Sequence, residues 1–312
     1  MSALQTHKHI PNILQIPTTK HNSQKRALFI SAGGDHGAIA LGMLHTMHAL
    51  YTHVCGISAG ALIAAGVAHT QNTQDCAQQM YTTLQHQSAA KPWTAFTGAI
   101  GNVVNVIFAM VFRRSLFKSQ LPLLAKPYLD KPIQKTLQVG AYNSTTATYH
   151  TFDQSDEHIN KAIIASASVP GVFAPVEING EEYVDGAVAH VIPVNEILDY
   201  WTHQEGDIDI LLCYPTNFTD FMACQMKKGN SLSKDMEKYT YEIIWNTMQR
   251  DIATLEQHLA KPLLHINRIG TRTVRFVKPT KSIYSSFITP SKQIITEMFK
   301  HGQDSARTEL RF

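Results

Sequence analysis

The sequence of 312 residues is poor in charge and has no long hydrophobic run. Charged residues make up only 16% and the formal net charge is +3, so the composition does not indicate a nucleic-acid-binding protein. No apolar run reaches the about 18 residues that a transmembrane helix requires, and no N-terminal signal peptide is visible. These absences predict a cytoplasmic or peripheral membrane protein.

Cysteine is also scarce, with four residues that lie far apart along the chain. They form no C-x-x-C pair, which argues against a zinc site and against a disulfide framework. We therefore expect reduced thiols at these positions: Cys55, Cys76, Cys213 and Cys224.

The composition and the absence of linkers indicate one large domain. Apolar residues make up 44% of the chain, enough for a sizeable buried core. Residues 1–25 are polar and contain Pro11 and Pro17, so they are predicted to form a loosely ordered leader. No repeat or linker divides residues 26–312 into separate units. The motifs fall within residues 26–215, and residues 216–312 are predicted to form an extension of helices and strands.

A candidate nucleophile lies in a pentapeptide that matches G-x-S-x-G. An apolar stretch that could end a strand precedes it, and an alanine-rich stretch typical of a buried helix follows it. A serine on such a tight turn has its hydroxyl directed away from the backbone, and the N-terminus of the following helix favours a developing anion. The motif alone is also compatible with a helix start packed against a sheet. Its residues are Gly56, Ile57, Ser58, Ala59 and Gly60.

A glycine-rich loop follows the first predicted strand, residues 27–30. It is compatible with a tight structural turn, a phosphate-binding loop or an oxyanion hole. The G-x-G-x-x-G spacing is broken and no G-K-[ST] follows, which disfavours the phosphate site. Glycine amides that approach a reacting carbonyl would form the oxyanion hole. The loop residues are Ala32, Gly33, Gly34, Asp35, His36 and Gly37.

The order strand, glycine loop, helix, strand, elbow, helix predicts an α/β fold with a parallel sheet. Residues 70–90 are rich in Gln and Thr and are predicted to form an exposed helix, and residues 216–233 are predicted to form a surface loop. Further helices are predicted over residues 158–165, 192–201, 234–259 and 291–307. Further strands are predicted over residues 136–142, 147–152, 207–214, 263–266 and 273–277.

A hairpin is predicted around Asn179-Gly180, because this dipeptide separates two short alternating runs. The hairpin places Asp185-Gly186-Ala187 at its far end. An aspartate at a strand terminus beside a glycine is suited to proton transfer, although Asp-Gly is also common in turns.

The most hydrophobic segment covers residues 93–112 and is flanked by Lys91, Arg113 and Arg114. It is too short and too interrupted to span a bilayer. A core helix is one interpretation. The other is an interfacial element, residues 93–114, that dips into a membrane surface while its cations meet phosphate headgroups.

Four features occur in this order: the glycine loop after the first strand, G-x-S-x-G, A-S-x-S-x-P at residues 165–170, and D-G-A after the hairpin. Together they resemble the patatin-like phospholipases. The resemblance extends over about residues 26–215 and is most specific between Lys161 and Val194. The loop departs from the usual G-G-G-x-[RK]-G, since Ala32 replaces the first glycine and His36 occupies the position of the cation. The usual D-G-G reads D-G-A. The stretches that carry the resemblance are 32–37, 56–60, 165–176, 183–187 and 193–194, with a looser fit at 115–117 and 120–124.

The resemblance implies a three-layer α/β/α patatin-like fold with a central, mostly parallel sheet. It also implies a serine hydrolase that cleaves phospholipids or other acyl lipids through a catalytic dyad. Ser58 would be the nucleophile and Asp185 the general base and acid, with the amides of Gly33, Gly34 and Ala59 as the oxyanion hole. This chemistry requires neither a cofactor nor a metal. The sequence does not indicate whether an activating partner is needed.

Three alternatives remain open from the sequence. An α/β-hydrolase triad would take its histidine from His258, His265 or His301. An acyltransferase or a neutral-lipid esterase would use the same site on a different acceptor or ester. A catalytically silent protein that binds lipids or a partner would explain the altered glycine loop.

Overall fold

The computed structural model describes residues 25–88, 132–223 and 232–309, except residues 261, 265, 282 and 284–290. The hydrophobic segment 93–114 lies outside these ranges, as does the predicted leader apart from its last residue, Lys25.

In the described part of the chain, nine strands form one sheet. They are β1 (Arg26–Ile30), β2 (His53–Ile57), β3 (Thr136–Asn143), β4 (Thr148–Asp153), β5 (Val176–Ile178), β6 (Glu181–Asp185), β7 (Asp207–Leu211), β8 (Ile266–Ile269) and β9 (Arg272–Val277). The order is β5-β6-β3-β2-β1-β7-β9-β8, and β4 pairs with β3. The strands β3, β2, β1, β7 and β9 are parallel, and the outer pairings are antiparallel.

The helices form two groups, each with its own set of contacts. They are α1 (Gly37–Thr46), α2 (Ala59–Ala68), α3 (Thr73–Ser88), α4 (Ile159–Ser166), α5 (Val194–His203), α6 (Phe218–Ala223), α7 (Leu232–Leu259) and α8 (Lys292–Glu309). The first group comprises α1, α2, α3, α4 and α8, and the second comprises α5, α6 and α7. The predicted α/β/α architecture with a central, mostly parallel sheet is confirmed.

The central strands are buried along almost their whole length because helices cover them. All five residues of β7 and the last four of β1 are buried. The apolar run 27–30 of β1 is typical of a parallel strand that is buried on both faces. Strand β7 also buries two aspartates, Asp207 and Asp209.

Strand β3 aligns the two strands that end at the candidate site. Along one of its edges β3 pairs with β4, from Gln138 to Asn143. Its other edge is shared: β2 runs parallel to it and ends with Ile57 opposite Gly140, while β6 runs antiparallel and ends with Asp185 opposite Ala141. The ends of β2 and β6 therefore meet at neighbouring positions of a single strand.

The predicted hairpin is confirmed, with β5 and β6 joined at Asn179-Gly180. Both turn residues have positive φ, 53° for Asn179 and 80° for Gly180. Positive φ at both central residues is the requirement of the type I′ turn that Asn-Gly favours.

Two of the predicted elements differ in the structure. Residues 218–223 form α6 rather than a loop, because the Asn217 side chain accepts the Asp220 N–H and Phe221 is buried. The strand predicted over residues 263–266 is also wrong, since β8 begins at Ile266. Before it, the Asn267 side chain bonds both backbone groups of Leu264 and forms a turn.

Asp209 on β7 is fully buried and accepts hydrogen bonds from Arg26 at 2.6 Å, Tyr51 at 2.8 Å and Arg275 at 2.6 Å. Asp209→Ala would leave the guanidinium group of Arg275 without its carboxylate, while Arg26 would keep its bond to Asp207. We expect it to lower the free energy of unfolding by about 3–5 kcal/mol, measured by urea denaturation. Asp304→Ala is the control, because its carboxylate is 72% exposed and pairs with Arg307 at the surface. This change should cost about 1 kcal/mol or less, and equal losses in both variants would contradict the prediction.

Candidate active site

Ser58 lies on a sharp turn between β2 and α2 and has an uncommon backbone conformation, with φ 59° and ψ −126°. Two close approaches enclose the turn. A Cβ on Gly56 would lie 2.2 Å from the carbonyl oxygen of Gly60, and a Cβ on Gly60 would lie 2.4 Å from that of Ile30. The glycines of the motif are therefore required by packing. A serine held with positive φ is typical of a nucleophile elbow.

The Ser58 hydroxyl donates a hydrogen bond of 2.6 Å to Oδ2 of Asp185. The two residues are 127 positions apart and meet because β2 and β6 end side by side on β3. Both are nearly excluded from solvent, with 4% of Ser58 and 2% of Asp185 exposed. The structure thus brings the two predicted residues into direct contact.

The Asp185 carboxylate is fixed at both of its oxygens. Oδ1 accepts the backbone N–H of Ala187 at 2.8 Å, within a short 3₁₀ helix over residues 186–188. The backbone N–H of Asp185 donates to the carbonyl of Ser168 at 3.0 Å. These bonds hold Oδ2 towards Ser58.

Burial raises the pKa of Asp185 from 3.8 to about 7, although the hydrogen bonds from Ser58 and Ala187 lower it. A carboxylate out of water is a stronger base than an exposed one, because its charged form has lost solvation. A pKa near neutrality matches what general base catalysis requires.

Ser166 at the end of α4 supports the elbow. It accepts the backbone N–H of Ser58 at 3.0 Å and donates to the carbonyl of Gly140 at 2.6 Å. The N–H of Ser58 is therefore already bonded. The next backbone N–H groups belong to Ala59 and Gly60 in the first turn of α2, where no intrahelical acceptor exists.

The glycine loop lies against this helix start. An ideal Cβ on Gly37 would be 3.0 Å from the Ala59 side chain. Within the loop, Ala32 donates its N–H to Val191 at 2.8 Å. In the described residues, no acceptor pairs with the N–H groups of Gly33 and Gly34. These two amides, together with that of Ala59, are the donors on this side of Ser58 that an oxyanion could use.

His36, at the position of the expected cation, is an internal anchor of the loop. Its ring is fully buried and lies 3.0 Å from the Asp35 carboxylate and 3.0 Å from the carbonyl of Ile283. It also packs on Tyr214, whose hydroxyl donates to the Gly33 carbonyl at 3.1 Å. These contacts fix the path of the loop.

Of the three histidines proposed for a triad, His258 and His301 are described by the structure, and neither hydrogen-bonds Ser58. His258 is exposed and bonds the carbonyl of Thr254 one turn earlier. His301 lies on α8, and burial lowers its pKa. His265 lies outside the described residues. No histidine in the described ranges hydrogen-bonds Ser58, whose hydroxyl is directed at Asp185.

Across the described residues, no group of three His, Cys, Asp or Glu side chains is arranged to hold a metal ion. Among the helices of the same ranges, none combines the length and apolar character needed to cross a bilayer.

Three residues at the site were missed by the sequence analysis. Ser166 and Ser168 lie in a stretch that carried the family resemblance, but neither received a role. Asp251 on α7 accepts hydrogen bonds from the backbone of Val191 and Ile192, next to the glycine loop. The hydrogen bond of Ser166 to Ser58 and those of Asp251 to Val191 and Ile192 join residues that are distant along the chain, so local sequence patterns could not predict them.

The chain is similar to a known protein family and to solved structures. The family model for patatin-like phospholipases matches residues 28–198, more than half of the chain. Among solved structures, the crystal structure of VipD from Legionella pneumophila is similar, with a TM-score of 0.43 and 14% sequence identity. The match covers 92% of this chain and 67% of that one. The matched family segment contains the glycine loop, the elbow and the D-G-A turn, and on this basis the chain belongs to the patatin-like phospholipase family.

Proposed function

We propose that this protein is a lipid acyl hydrolase of the phospholipase A type that uses a Ser58–Asp185 dyad. The observation that carries the proposal is the 2.6 Å hydrogen bond between the Ser58 hydroxyl and the buried Asp185 carboxylate. Family membership supports the lipid ester as the substrate class.

In the first half-reaction Ser58 Oγ attacks the ester carbonyl carbon as Asp185 Oδ2 accepts its proton. The carbonyl oxygen becomes an oxyanion that the N–H groups of Gly33, Gly34 and Ala59 stabilise. The intermediate collapses as the bond from carbon to the leaving oxygen breaks. Asp185 returns the proton to that oxygen, which leaves as lysolipid or alcohol.

In the second half-reaction water replaces the leaving group. Asp185 takes a proton from water as the water oxygen attacks the acyl carbon. The bond to Ser58 Oγ then breaks, the hydroxyl recovers its proton, and a free fatty acid departs. No step requires a metal or a cofactor.

Exposed apolar side chains support a lipid substrate and peripheral contact with a membrane. Val188 follows the D-G-A turn directly and is 46% exposed. Tyr239 and Ile243, one turn apart on α7, are 61% and 62% exposed. Exposed apolar side chains of this kind favour an interface with acyl chains. The membrane contact proposed for residues 93–114 would add to them.

Ser58→Ala and Asp185→Asn should each reduce the turnover of phospholipid by about 10³-fold or more, since either change removes one half of the dyad. The measurement is fatty acid release from a panel of phospholipids and neutral esters with EDTA present. Ser155→Ala and Asp199→Asn are matched controls at exposed positions, and we expect wild-type rates from both. Turnover that survives in either site variant would contradict the dyad.

The same panel separates the alternative activities. Addition of glycerol or lysolipid as acceptor would yield transacylated product if the protein is an acyltransferase. Preference for neutral esters would identify a neutral-lipid esterase. A fluorophosphonate probe that fails to label Ser58 in folded wild-type protein would favour a silent binding protein.

The specificity constant kcat/KM should increase about tenfold for each unit of increasing pH up to about pH 7 and should be constant above it. The cause is that Asp185 must be deprotonated to accept the Ser58 proton, and its pKa is about 7. A pH profile at two temperatures tests this. A carboxyl group ionises with a much smaller enthalpy than an imidazole, so the apparent pKa of a carboxyl changes little with temperature. An apparent pKa in the pH profile that shifts strongly with temperature would assign the titration to a histidine instead.

Asp185→Asn should gain stability over the wild type as pH increases. The folded protein binds the Asp185 proton more tightly than the unfolded chain, so this group stabilises the fold below about pH 4 and loses that effect as pH rises through 7. A pKa rise from 3.8 to about 7 corresponds to at most about 4 kcal/mol. Thermal unfolding of both proteins at pH 4, 6 and 8 measures the difference, and a constant difference would contradict the assignment.

A further inference from the structure

We propose that Asp251 of α7 is a positioning residue that fixes two parts of the active site relative to each other: the glycine loop with its oxyanion donors and the turn that carries the base, Asp185. This inference rests on the proposed function. It concerns the loop 189–192, which follows the turn after Asp185 in the chain and is hydrogen-bonded to Ala32 at the start of the glycine loop. Asp251 lies outside the residues that the family model matches, 28–198.

The Asp251 carboxylate is almost wholly buried, with 1% exposed, and each of its oxygens binds the loop 189–192. Oδ2 accepts two backbone N–H groups, that of Val191 at 2.7 Å and that of Ile192 at 3.0 Å. Oδ1 lies 2.9 Å from Nδ1 of His190. Charge-assisted bonds to two successive amides fix the backbone at this point.

One side of this loop leads to the oxyanion donors. The carbonyl of Val191, whose own N–H is held by Asp251, accepts the N–H of Ala32 at 2.8 Å. Ala32 immediately precedes Gly33 and Gly34, the two amides that have no acceptor in the described residues. The direction of these amides therefore depends on Val191 and, through it, on Asp251.

The other side of the loop leads to the base. The N–H groups of Ala189 and His190 both donate to the carbonyl of Gly186 at 3.0 Å. Gly186 follows Asp185 and belongs to the turn whose Ala187 N–H binds Asp185 Oδ1. Arg250, next to Asp251 on α7, donates to the carbonyl of Ala189. The two neighbouring residues of α7 thus fix the segment that carries the base.

A purely stabilising role is the alternative, and Asp207 provides a matched comparison. It is also an aspartate with little exposure, 9% of its side chain, and it also accepts a backbone N–H, from Thr273 at 2.8 Å, and a cationic partner, Arg26 at 2.6 Å. Asp207 begins β7, at the opposite end of that strand from the glycine loop. Its loss should cost stability without displacing the site.

The experiment compares Asp251→Ala, Asp251→Asn, Asp207→Ala and wild type in three measurements on the full chain. They are the rate constant for labelling of Ser58 by a fluorophosphonate, kcat and KM for phospholipid, and hydrogen exchange in peptides that cover residues 27–35 and 186–192. Rates are expressed per folded molecule, at a temperature well below the unfolding midpoint of the least stable variant.

Asp251→Ala should lower the labelling rate and kcat by about 10–100-fold, because displacement of catalytic groups by about 1 Å has effects of this size. KM should change by less than about threefold, and exchange should accelerate in both peptides. Asp251→Asn retains one oxygen for the two amides, so we expect an intermediate loss of kcat and partial recovery of protection. Asp207→Ala should keep wild-type labelling, kcat and exchange in both peptides.

His190→Gln separates the backbone bonds from the histidine contact. If Asp251 acts through Val191 and Ile192, this variant keeps kcat within about threefold of wild type. A loss equal to that of Asp251→Ala would transfer the role to His190 and overturn the proposal. So would an Asp251→Ala protein whose labelling rate and kcat per folded molecule match those of Asp207→Ala.

The design also distinguishes this inference from the proposed function. Wild-type protein that labels at Ser58 but releases no fatty acid would refute the lipid hydrolase, while the labelling and exchange data would still decide the role of Asp251. Wild-type protein whose Ser58 does not react would overturn both, since there would be no reactive site to position.

Discussion

The hydrogen bond between Ser58 and Asp185 is the interaction on which the described site depends, and it lies in surroundings that exclude water. Removal of water strengthens the carboxylate as a base and raises its pKa to about 7. It also makes an unpaired charge costly, so each oxygen of Asp185 has a donor, Ser58 on one and Ala187 on the other. The base is strong because it is buried, and burial is tolerated because it is fully hydrogen-bonded.

The sheet supplies this geometry through backbone pairing rather than through the side chains themselves. Ile57 and Asp185 pair with consecutive residues of β3, Gly140 and Ala141. Ser166 adds a second tie, since it joins the Ser58 amide to the carbonyl of Gly140. One strand therefore acts as the common reference for nucleophile, base and supporting serine.

Much of the fold followed from local pattern, because its signals are short-range. The elbow, the Asn179-Gly180 hairpin and the long helix α7 each depend on residues within a few positions of one another. The side-chain cap at Asn217 and the turn made by Asn267 are equally local, yet their polar residues resemble ordinary loop composition. The contacts of Ser166 and Asp251 with the site cross large sequence separations, so neither periodicity nor motif could indicate them.

The dependence on β3 has a consequence for how the active protein must fold. Strand β6 can pair with β3 in more than one alignment in principle. Contacts at the end of β3 fix the alignment in the structure, where Asn143 donates to the Glu181 carboxylate and the N–H of Ser144 donates to the carbonyl of Glu182. A slip of one residue would direct the Asp185 side chain to the opposite face of the sheet. A slip of two would keep the face but move the carboxylate by about 7 Å, beyond reach of Ser58. A misaligned molecule would retain nearly all of its secondary structure and core, and yet be a folded, inactive species.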